Sequence, residues 1–323
     1  MKEVKITGIG SYVPEKVLSN KYLETIVDTT DEWIKERTGI EERRICVNED
    51  TSDLAINAAI EALKSSKVLA ENVELIVVST VTPDGAVPSV ACRVQKAIGA
   101  VNAMAFDINA ACSGFMFAFD IANNYIKAGT VKNALVVSAE GLSKITNWQD
   151  RNTCVLFGDG AGAVFLEESE EKYISHINCK SVGSKGEYIE CNNSPMENLF
   201  VESKKGEKVI MNGKEVYKFA IKVMEDEFSR ILKEAKLSKD DIDYIVPHQA
   251  NLRMIESFSK KAELPLSKFI INVQKRGNTS GASIPIALDE AFKEGKITKG
   301  QNIILVAFGG GLTYGSALVK WSL

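Results

Sequence analysis

"NALVVSAEG" (residues 133–141), followed by "FGDGAGAVFLEE" (157–168), decides the fold, because the chain echoes it in "NIILVAFGGGLTYGSALVKW" (302–321). In each copy an apolar run meets a glycine-rich turn and then a second run containing small residues, the pattern of two buried strands joined at a tight bend. Upstream, "VELIVVSTVTP" (73–83) and "DIDYIVPHQAN" (241–251) stand in the same relation. A repeat of this length reads as duplication of a whole unit and not as a solenoid. The expectation is two similar halves sharing one core, residues 1–170 and 171–323, joined near the charged stretch at 167–172.

Strand-like runs alternate with helical patterns throughout, which indicates an α/β architecture. Strands are expected at 4–9, 72–81, 133–138, 244–246 and 302–308, and helices over 51–65, 89–98, 114–128, 216–235 and 284–293. The segment 181–215, rich in Gly, Ser, Asn and Lys, is expected to form loops and edges over a site.

Composition narrows the function classes. With 323 residues, 45% apolar and 25% charged, the chain has material for a large core. Its longest apolar runs, Leu75–Val78 and Ile303–Phe308, are too short to span a bilayer. The N-terminus alternates like a first strand and does not resemble a signal peptide, so a cytoplasmic location is expected. A net charge of −4 argues against a general nucleic-acid binder. Six cysteines with no C-x-x-C pair read as reduced thiols, and the two histidines, His176 and His248, have no metal-ligand spacing, so no metal site is expected.

The groups suited to chemistry lie at junctions. In "DINAACSGFMFAF" (107–119), Cys112 follows a strand that ends over Asp107–Ala111 and precedes a helix from Gly114. There the helix dipole and free backbone N–H groups favour a thiolate, and the same N–H groups can hold an oxyanion. The competing reading is a small buried hydrophobe. His248, in "YIVPHQANLR" (244–253), emerges at a strand's carboxyl end, where α/β sheets place ligands; otherwise it is structural, as His176 is expected to be. Asn278, in "RGNTSGASIP" (276–285), has side-chain donors able to polarise a carbonyl beside His248, or is simply a turn former. "FGGGLTYG" (308–315) can bring backbone N–H groups close to a substrate. "GDGAGA" (158–163) imitates a dinucleotide fingerprint, but Val164–Leu166 after it reads as a strand where that motif needs a helix.

Taken together these residues resemble β-ketoacyl-acyl-carrier-protein synthase III, the initiating condensing enzyme of type II fatty-acid synthesis. The resemblance rests on "GIGSYVPE" (8–15), "DTTDEWIKERTGIEERR" (28–44), "DINAACSGF" (107–115), "FGDGAGAV" (157–164), "VPHQANLR" (246–253), "GNTSGASIP" (277–285) and "FGGGLTYGSALV" (308–319), in that order over essentially the whole chain. It implies a thiolase-like α/β fold, with two similar halves in a layered αβαβα arrangement. It also implies a Cys112–His248–Asn278 triad and ping-pong condensation of a short acyl-CoA with malonyl-acyl-carrier-protein, with no cofactor.

The resemblance extends to binding residues. Backbone N–H groups of Cys112 and Gly310 would form the oxyanion hole. Thr29, Trp33, Arg37, Arg151, Gly213 and Asn251 would bind CoA. Leu142, Leu156, Phe157 and Met211 would line the acyl pocket, with Val87 where the family often has a bulky aromatic contributed across a homodimer interface. Lys218, Arg253, Lys260 and Lys261 would dock the acidic carrier protein. Tyr314 stands where tryptophan is more usual.

Other chemistries fit less well. A degradative thiolase needs a second reactive cysteine in the glycine loop, and "FGGGLTYG" has none. A cysteine thioester hydrolase would have to admit water to its acyl-enzyme. A same-fold acyltransferase of secondary metabolism would use another acceptor, and a non-catalytic binding protein would have no use for the triad.

Overall fold

The computed structural model describes residues 2–192, 195, 199–200 and 206–323. Period-two burial begins at once: β1 (Glu3–Tyr12) turns Val4 and Ile6 inward and leaves Glu3 and Lys5 half-buried. The strands that follow are β2 (Val17–Ser19), β3 (Glu42–Arg44), β4 (Leu75–Ser79), β5 (Met104–Ile108), β6 (Asn133–Glu140), β7 (Gly160–Ser169), β8 (Ile174–Ser181), β9 (Ile189–Glu190), β10 (Ile210–Met211), β11 (Tyr244–Pro247), β12 (Asn302–Gly309) and β13 (Thr313–Lys320). The helices are α1 (Asn20–Leu23), α2 (Asp31–Thr38), α3 (Thr51–Ser66), α4 (Val90–Ile98), α5 (Gly114–Lys127), α6 (Arg151–Cys154), α7 (Gly213–Ala235), α8 (Leu252–Ala262), α9 (Val273–Arg276) and α10 (Ser283–Lys293).

The repeat is realised strand for strand. One sheet runs β1-β7-β6-β4-β5 and the other β8-β13-β12-β11. In the first, β4 is parallel to β6, β6 antiparallel to β7, and β7 antiparallel to β1. The second repeats this with β11 parallel to β12, β12 antiparallel to β13, and β13 antiparallel to β8. Within these two sheets β5 is the strand without a counterpart among the described residues; it pairs in parallel with β4 and forms the sheet's edge, while β2–β3 and β9–β10 form separate two-stranded sheets.

Five layers result. Between the sheets lie α5 and α10, whose Phe115, Phe119, Ile284 and Leu288 share one apolar core with Val77, Val136, Leu305 and Ala317. α3 and α4 cover the outer face of the first sheet against Ile76, Val78, Leu135 and Val137. α7 and α8 cover the second against Ile245, Ile304 and Val306. A sheet buried on both faces needs continuous apolar strands, and β4 (Leu-Ile-Val-Val-Ser) is buried at every position. Among the described residues, no helix is long and apolar enough to cross a membrane.

Boundaries depart from expectation where side chains redirect the backbone. The strand expected at 72–81 is confined to Leu75–Ser79, because 70–72 is a 3₁₀ turn and the chain bends after Ser79 toward the end of β6. The strand before Cys112 stops at Ile108, the last residue paired with β4. α7 begins at Gly213, ahead of the expected Val216, because the Asn212 side chain accepts the Glu215 N–H at 3.3 Å and caps it. In the segment 181–215, the described part contains a 3₁₀ turn over 183–188, β9, β10 and the first residues of α7. Residues 193–194, 196–198 and 201–205 lie outside the described residues.

Candidate active site

Two turns of the same construction meet between the sheets. After β5, the Asn109 Oδ1 accepts the Ala111 N–H at 3.1 Å, Ala111 takes a left-handed φ of 47°, and a 3₁₀ turn over Ala111–Ser113 leads into α5. Before α10, the Asn278 Oδ1 accepts the Ser280 N–H at 2.8 Å, Ser280 takes φ 51°, and a 3₁₀ turn over Ser280–Ala282 leads into the helix. The first turn presents Cys112 and the second presents Asn278, and both residues line one cavity.

The nucleophile turn is clasped by the loop between β12 and β13. Ser113 Oγ donates to Thr313 Oγ1 at 2.7 Å, and the Thr313 hydroxyl lies 2.9 Å from the Ala110 carbonyl and 2.8 Å from that of Gly310. Gly309 closes on the turn so tightly that a Cβ there would sit 2.6 Å from the Cys112 nitrogen.

His248, expected to leave a strand's carboxyl end, follows β11 directly and is buried. Its Nδ1 is 2.7 Å from the Ser283 hydroxyl, which also accepts the Gln249 N–H at 3.2 Å. The Phe308 ring stands edge-on to the imidazole at 5.2 Å. Burial with no compensating charge lowers the His248 pKa to about 3, so the ring is neutral. Burial also pushes the Cys112 thiol up to about 11, despite lowering contacts from the Ser280 side chain and from its own backbone. Where the sequence suggests a ready thiolate, burial here outweighs those contacts, and the nearby Glu140 carboxylate adds to it. His176 lies on β8, 3.6 Å from Glu234 and outside the cavity lining.

The cavity encloses about 760 Å³. Its walls include Cys112, His248, Asn278 and Gly310, the expected pocket residues Leu142, Leu156, Phe157 and Met211, and the expected CoA residues Trp33, Arg37, Gly213 and Asn251. Arg151 is outside the lining but lies over the Trp33 ring at 5.1 Å, as Arg37 does at 5.8 Å. Asn251 caps α8 through the Arg253 N–H at 2.9 Å and donates to the Arg37 carbonyl at 3.2 Å, tying α8 to α2. Thr29 precedes α2 and is not in the lining; its hydroxyl is enclosed and has no hydrogen-bond partner among the described residues. Val87, expected to act across a subunit interface, is 84% exposed and lies outside the cavity of its own chain.

The expected docking cations sit on α7 and α8, whose Val216, Tyr217 and Met254 reach the cavity wall. Lys218 pairs with Glu215 at 2.7 Å and Lys261 with Glu225 at 2.9 Å. Arg253 and Lys260 are exposed and make no ion pair among the described residues.

Sequence reasoning missed several groups. Glu140, fully buried at the end of β6, accepts hydrogen bonds from the Val81 N–H at 3.1 Å, Thr82 Oγ1 at 3.0 Å and Ser280 Oγ at 3.1 Å. Ser280, Ser283, Asn109, Ile189 and Cys191 were also passed over, and of these all but Ser283 line the cavity. The internal repeat held a signal for Glu140: setting "NALVVSAEG" against "NIILVAFGG" places it opposite Gly309.

Known proteins share this fold over essentially the whole chain. Residues 106–183 match the family described as 3-oxoacyl-[acyl-carrier-protein (ACP)] synthase III, and residues 232–321 match its C-terminal counterpart. The chain is 51% identical over 324 residues to the β-ketoacyl-[acyl-carrier-protein] synthase III of Clostridium acetobutylicum, with 100% of both covered. The crystal structure of 3-oxoacyl-[acyl-carrier-protein] synthase III from Aquifex aeolicus VF5 superposes with a TM-score of 0.93 at 45% identity, covering 98% of this chain and 100% of that one. The Thermus thermophilus enzyme gives 0.92 at 39% identity, covering 98% and 99%. Likeness over the full length, in sequence and in fold together, leaves one conclusion: the chain belongs to the β-ketoacyl-acyl-carrier-protein synthase III family of acyl-transferring condensing enzymes.

Proposed function

We propose that this chain condenses a short acyl-CoA primer with malonyl-acyl-carrier-protein, releasing CoA and CO₂ and initiating fatty-acid synthesis. The observation that carries this reading is the meeting of Cys112, His248 and Asn278 in the wall of a single largely apolar cavity. Cys112 Sγ attacks the primer thioester, CoA leaves, and the acyl group stays on sulfur. Malonyl-acyl-carrier-protein then loses CO₂, and the electron pair of the broken C–C bond becomes an enolate.

Hydrogen bonding prepares two donors for that enolate. In this reading the Ser283 hydroxyl, which accepts the Gln249 N–H, donates a hydrogen bond to His248 Nδ1, and the imidazole carries its hydrogen on Nε2. The Asn278 Oδ1 is occupied by the Ser280 N–H, which frees Nδ2 to donate. Neutral donors suit the step because they stabilise the enolate oxygen without readily protonating its carbon, and a dry wall keeps water from doing so. The enolate carbon attacks the acyl-cysteine while the backbone N–H groups of Cys112 and Gly310 hold the oxyanion. All bond changes are carried by the two thioesters and these groups, so the reaction asks for no resident cofactor.

The cation–ring contacts at Trp33 support an adenine and phosphate site formed with Arg37 and Arg151, with Thr29, Gly213 and Asn251 along the pantetheine arm. Arg253 and Lys260, with Lys218 and Lys261, would meet the acidic carrier protein. The working form would be a cytoplasmic homodimer joined along the edge strand β5, with Val87 reaching the partner's acyl pocket. The exposure of Val87, Val101 and Met104 near that edge supports this. The halves would divide at 170/171.

Intact-protein mass spectrometry tests the reading. Incubation with acetyl-, isobutyryl- and longer acyl-CoAs should leave an acyl adduct on Cys112 that persists in buffer and discharges with malonyl-acyl-carrier-protein. Rapid discharge in buffer would make the chain a hydrolase, and an adduct that no malonyl donor removes would mean a different acceptor.

A further inference from the structure

Glu140 is a buried acid to which the condensation above gives no task. It ends β6 with no exposed surface, and its hydrogen-bond partners are neutral: Thr80, Val81 and Thr82 on the loop after β4, and Ser280 on the turn into α10. Among the described residues no Lys, Arg or His pairs with it. Lys144, which bonds the Thr82 carbonyl and the Thr51 hydroxyl, pairs with Asp50 and makes no ion pair with Glu140 among the described residues. Ser280 Oγ donates to Glu140 Oε1 at 3.1 Å, and Ser280 and Cys112 stand in the wall of the same cavity, where the Ser280 side chain favours the ionised thiol. A single hydroxyl thus lies between the carboxylate and the turn that carries the nucleophile.

The resting thiol is neutral, so attack on a thioester requires an acceptor for its proton. His248 is a poor one, since its Nδ1 is committed to Ser283 and burial holds it uncharged. Glu140 suits the task better: burial raises its pKa to about 7, while the hydrogen bonds from Val81, Thr82, Ser280 and Thr80 keep it from rising further.

We propose that Glu140 is the proton acceptor for Cys112 acting through Ser280 Oγ, a positioning residue for the acyl-transfer half-reaction. As Cys112 Sγ bonds the primer carbonyl carbon, the thiol proton passes to Ser280 Oγ and the serine's own proton to Glu140 Oε1. When the bond to CoA sulfur breaks, the departing thiolate takes a proton from Ser280 Oγ and Glu140 returns one to the serine. The carboxylate is restored, and CoA leaves as the thiol. This rests on the acyl-transfer reading above but assigns nothing to the malonyl step.

The test measures Cys112 acylation by acetyl- or isobutyryl-CoA in single turnovers between pH 5.5 and 9, and alkylation of the same thiol by iodoacetamide across the same range. In the unmodified protein acylation should rise with pH through an apparent pKa of about 7. Glu140→Gln, nearly isosteric, should lose that limb and acylate about 10²-fold more slowly at pH 7.5. Ser280→Ala should do the same, while discharge of preformed acyl-enzyme by malonyl-acyl-carrier-protein should change less than about threefold in Glu140→Gln. An unaltered acylation limb in Glu140→Gln, or equal loss in both half-reactions, would overturn the proposal. If no acyl-CoA acylates the unmodified protein, the functional reading fails instead. The iodoacetamide profile still decides the relay, which requires its neutral-pH limb to vanish in Glu140→Gln.

Discussion

The turn at Asn109–Gly114 and the turn at Asn278–Ser283 share a backbone and differ in chemistry. Each uses an asparagine side chain to hold the N–H two residues on, a left-handed residue next to the critical position, and a 3₁₀ turn before the helix. Counted from the asparagines, Cys112 in one corresponds to Gly281 in the other. The facing strand ends differ in the same way: Gly309 closes on Cys112, and its counterpart in the repeat, Glu140, bonds Ser280. One scaffold occurs twice in the fold, and the side chains at matching positions differ.

The sharpest way to break the comparison is at the asparagines. Asn278→Asp keeps the acceptor for the Ser280 N–H but removes the donors, and should slow condensation about 10²–10³-fold while acylation by acyl-CoA persists. Asn109→Asp should cost less than about tenfold in either step. Equal losses would mean that the second turn has no special part in the malonyl half-reaction.

At the strand end, Gly309→Ala forces a Cβ to within 2.6 Å of the Cys112 nitrogen and should reduce acylation about 10²-fold by displacing the nucleophile. Gly281→Ala meets the Ser138 hydroxyl at 2.6 Å, which can rotate, and the Ala111 carbonyl at 3.3 Å. Its effect should fall mainly on Tm, with a cost of about 1–3 kcal/mol.

Proton linkage gives a gentler contrast. The His248 pKa is lowered from 6.5 to about 3, so its contribution to stability is present above pH 6.5 and is lost as pH falls through about 3. The Glu140 pKa is raised from 4.5 to about 7, so its contribution is full below pH 4.5 and is lost as pH rises through 7. Between pH 4.5 and 6.5 the two slopes oppose. Melting curves should show Glu140→Gln gaining on the unmodified protein as pH rises, and His248→Gln gaining as pH falls; parallel curves would refute the assigned shifts.

The smallest effect concerns α8, which the second half adds beside the site. Arg253→Glu should weaken condensation with malonyl-acyl-carrier-protein about tenfold and leave acylation unchanged, because one exposed contact contributes on the order of 1 kcal/mol. The already paired Lys261→Glu should do less. Equal loss in both half-reactions would remove Arg253 from carrier docking.

Much of this was legible in the chain itself. The strands and the repeat follow from runs of apolar residues, a local property that survives any uncertainty about packing. Cys112, His248 and Asn278 were marked by their places at element junctions, where glycines and small residues crowd together. Strand ends were less legible, since β4 stops where its neighbours stop and α7 starts where Asn212 caps it.

Tertiary structure alone decided the protonation states and the shared contacts. Whether Cys112 rests as thiol or thiolate depends on how much solvent the two sheets remove, and that desolvation comes from residues scattered along the chain. Glu140 reads in sequence as an ordinary strand-end acid; only folding brings the loop after β4 and the turn before α10 onto its two oxygens. Periodicity is written along one dimension. The environment of a charge is assembled in three, from segments as far apart as Thr82 and Ser280.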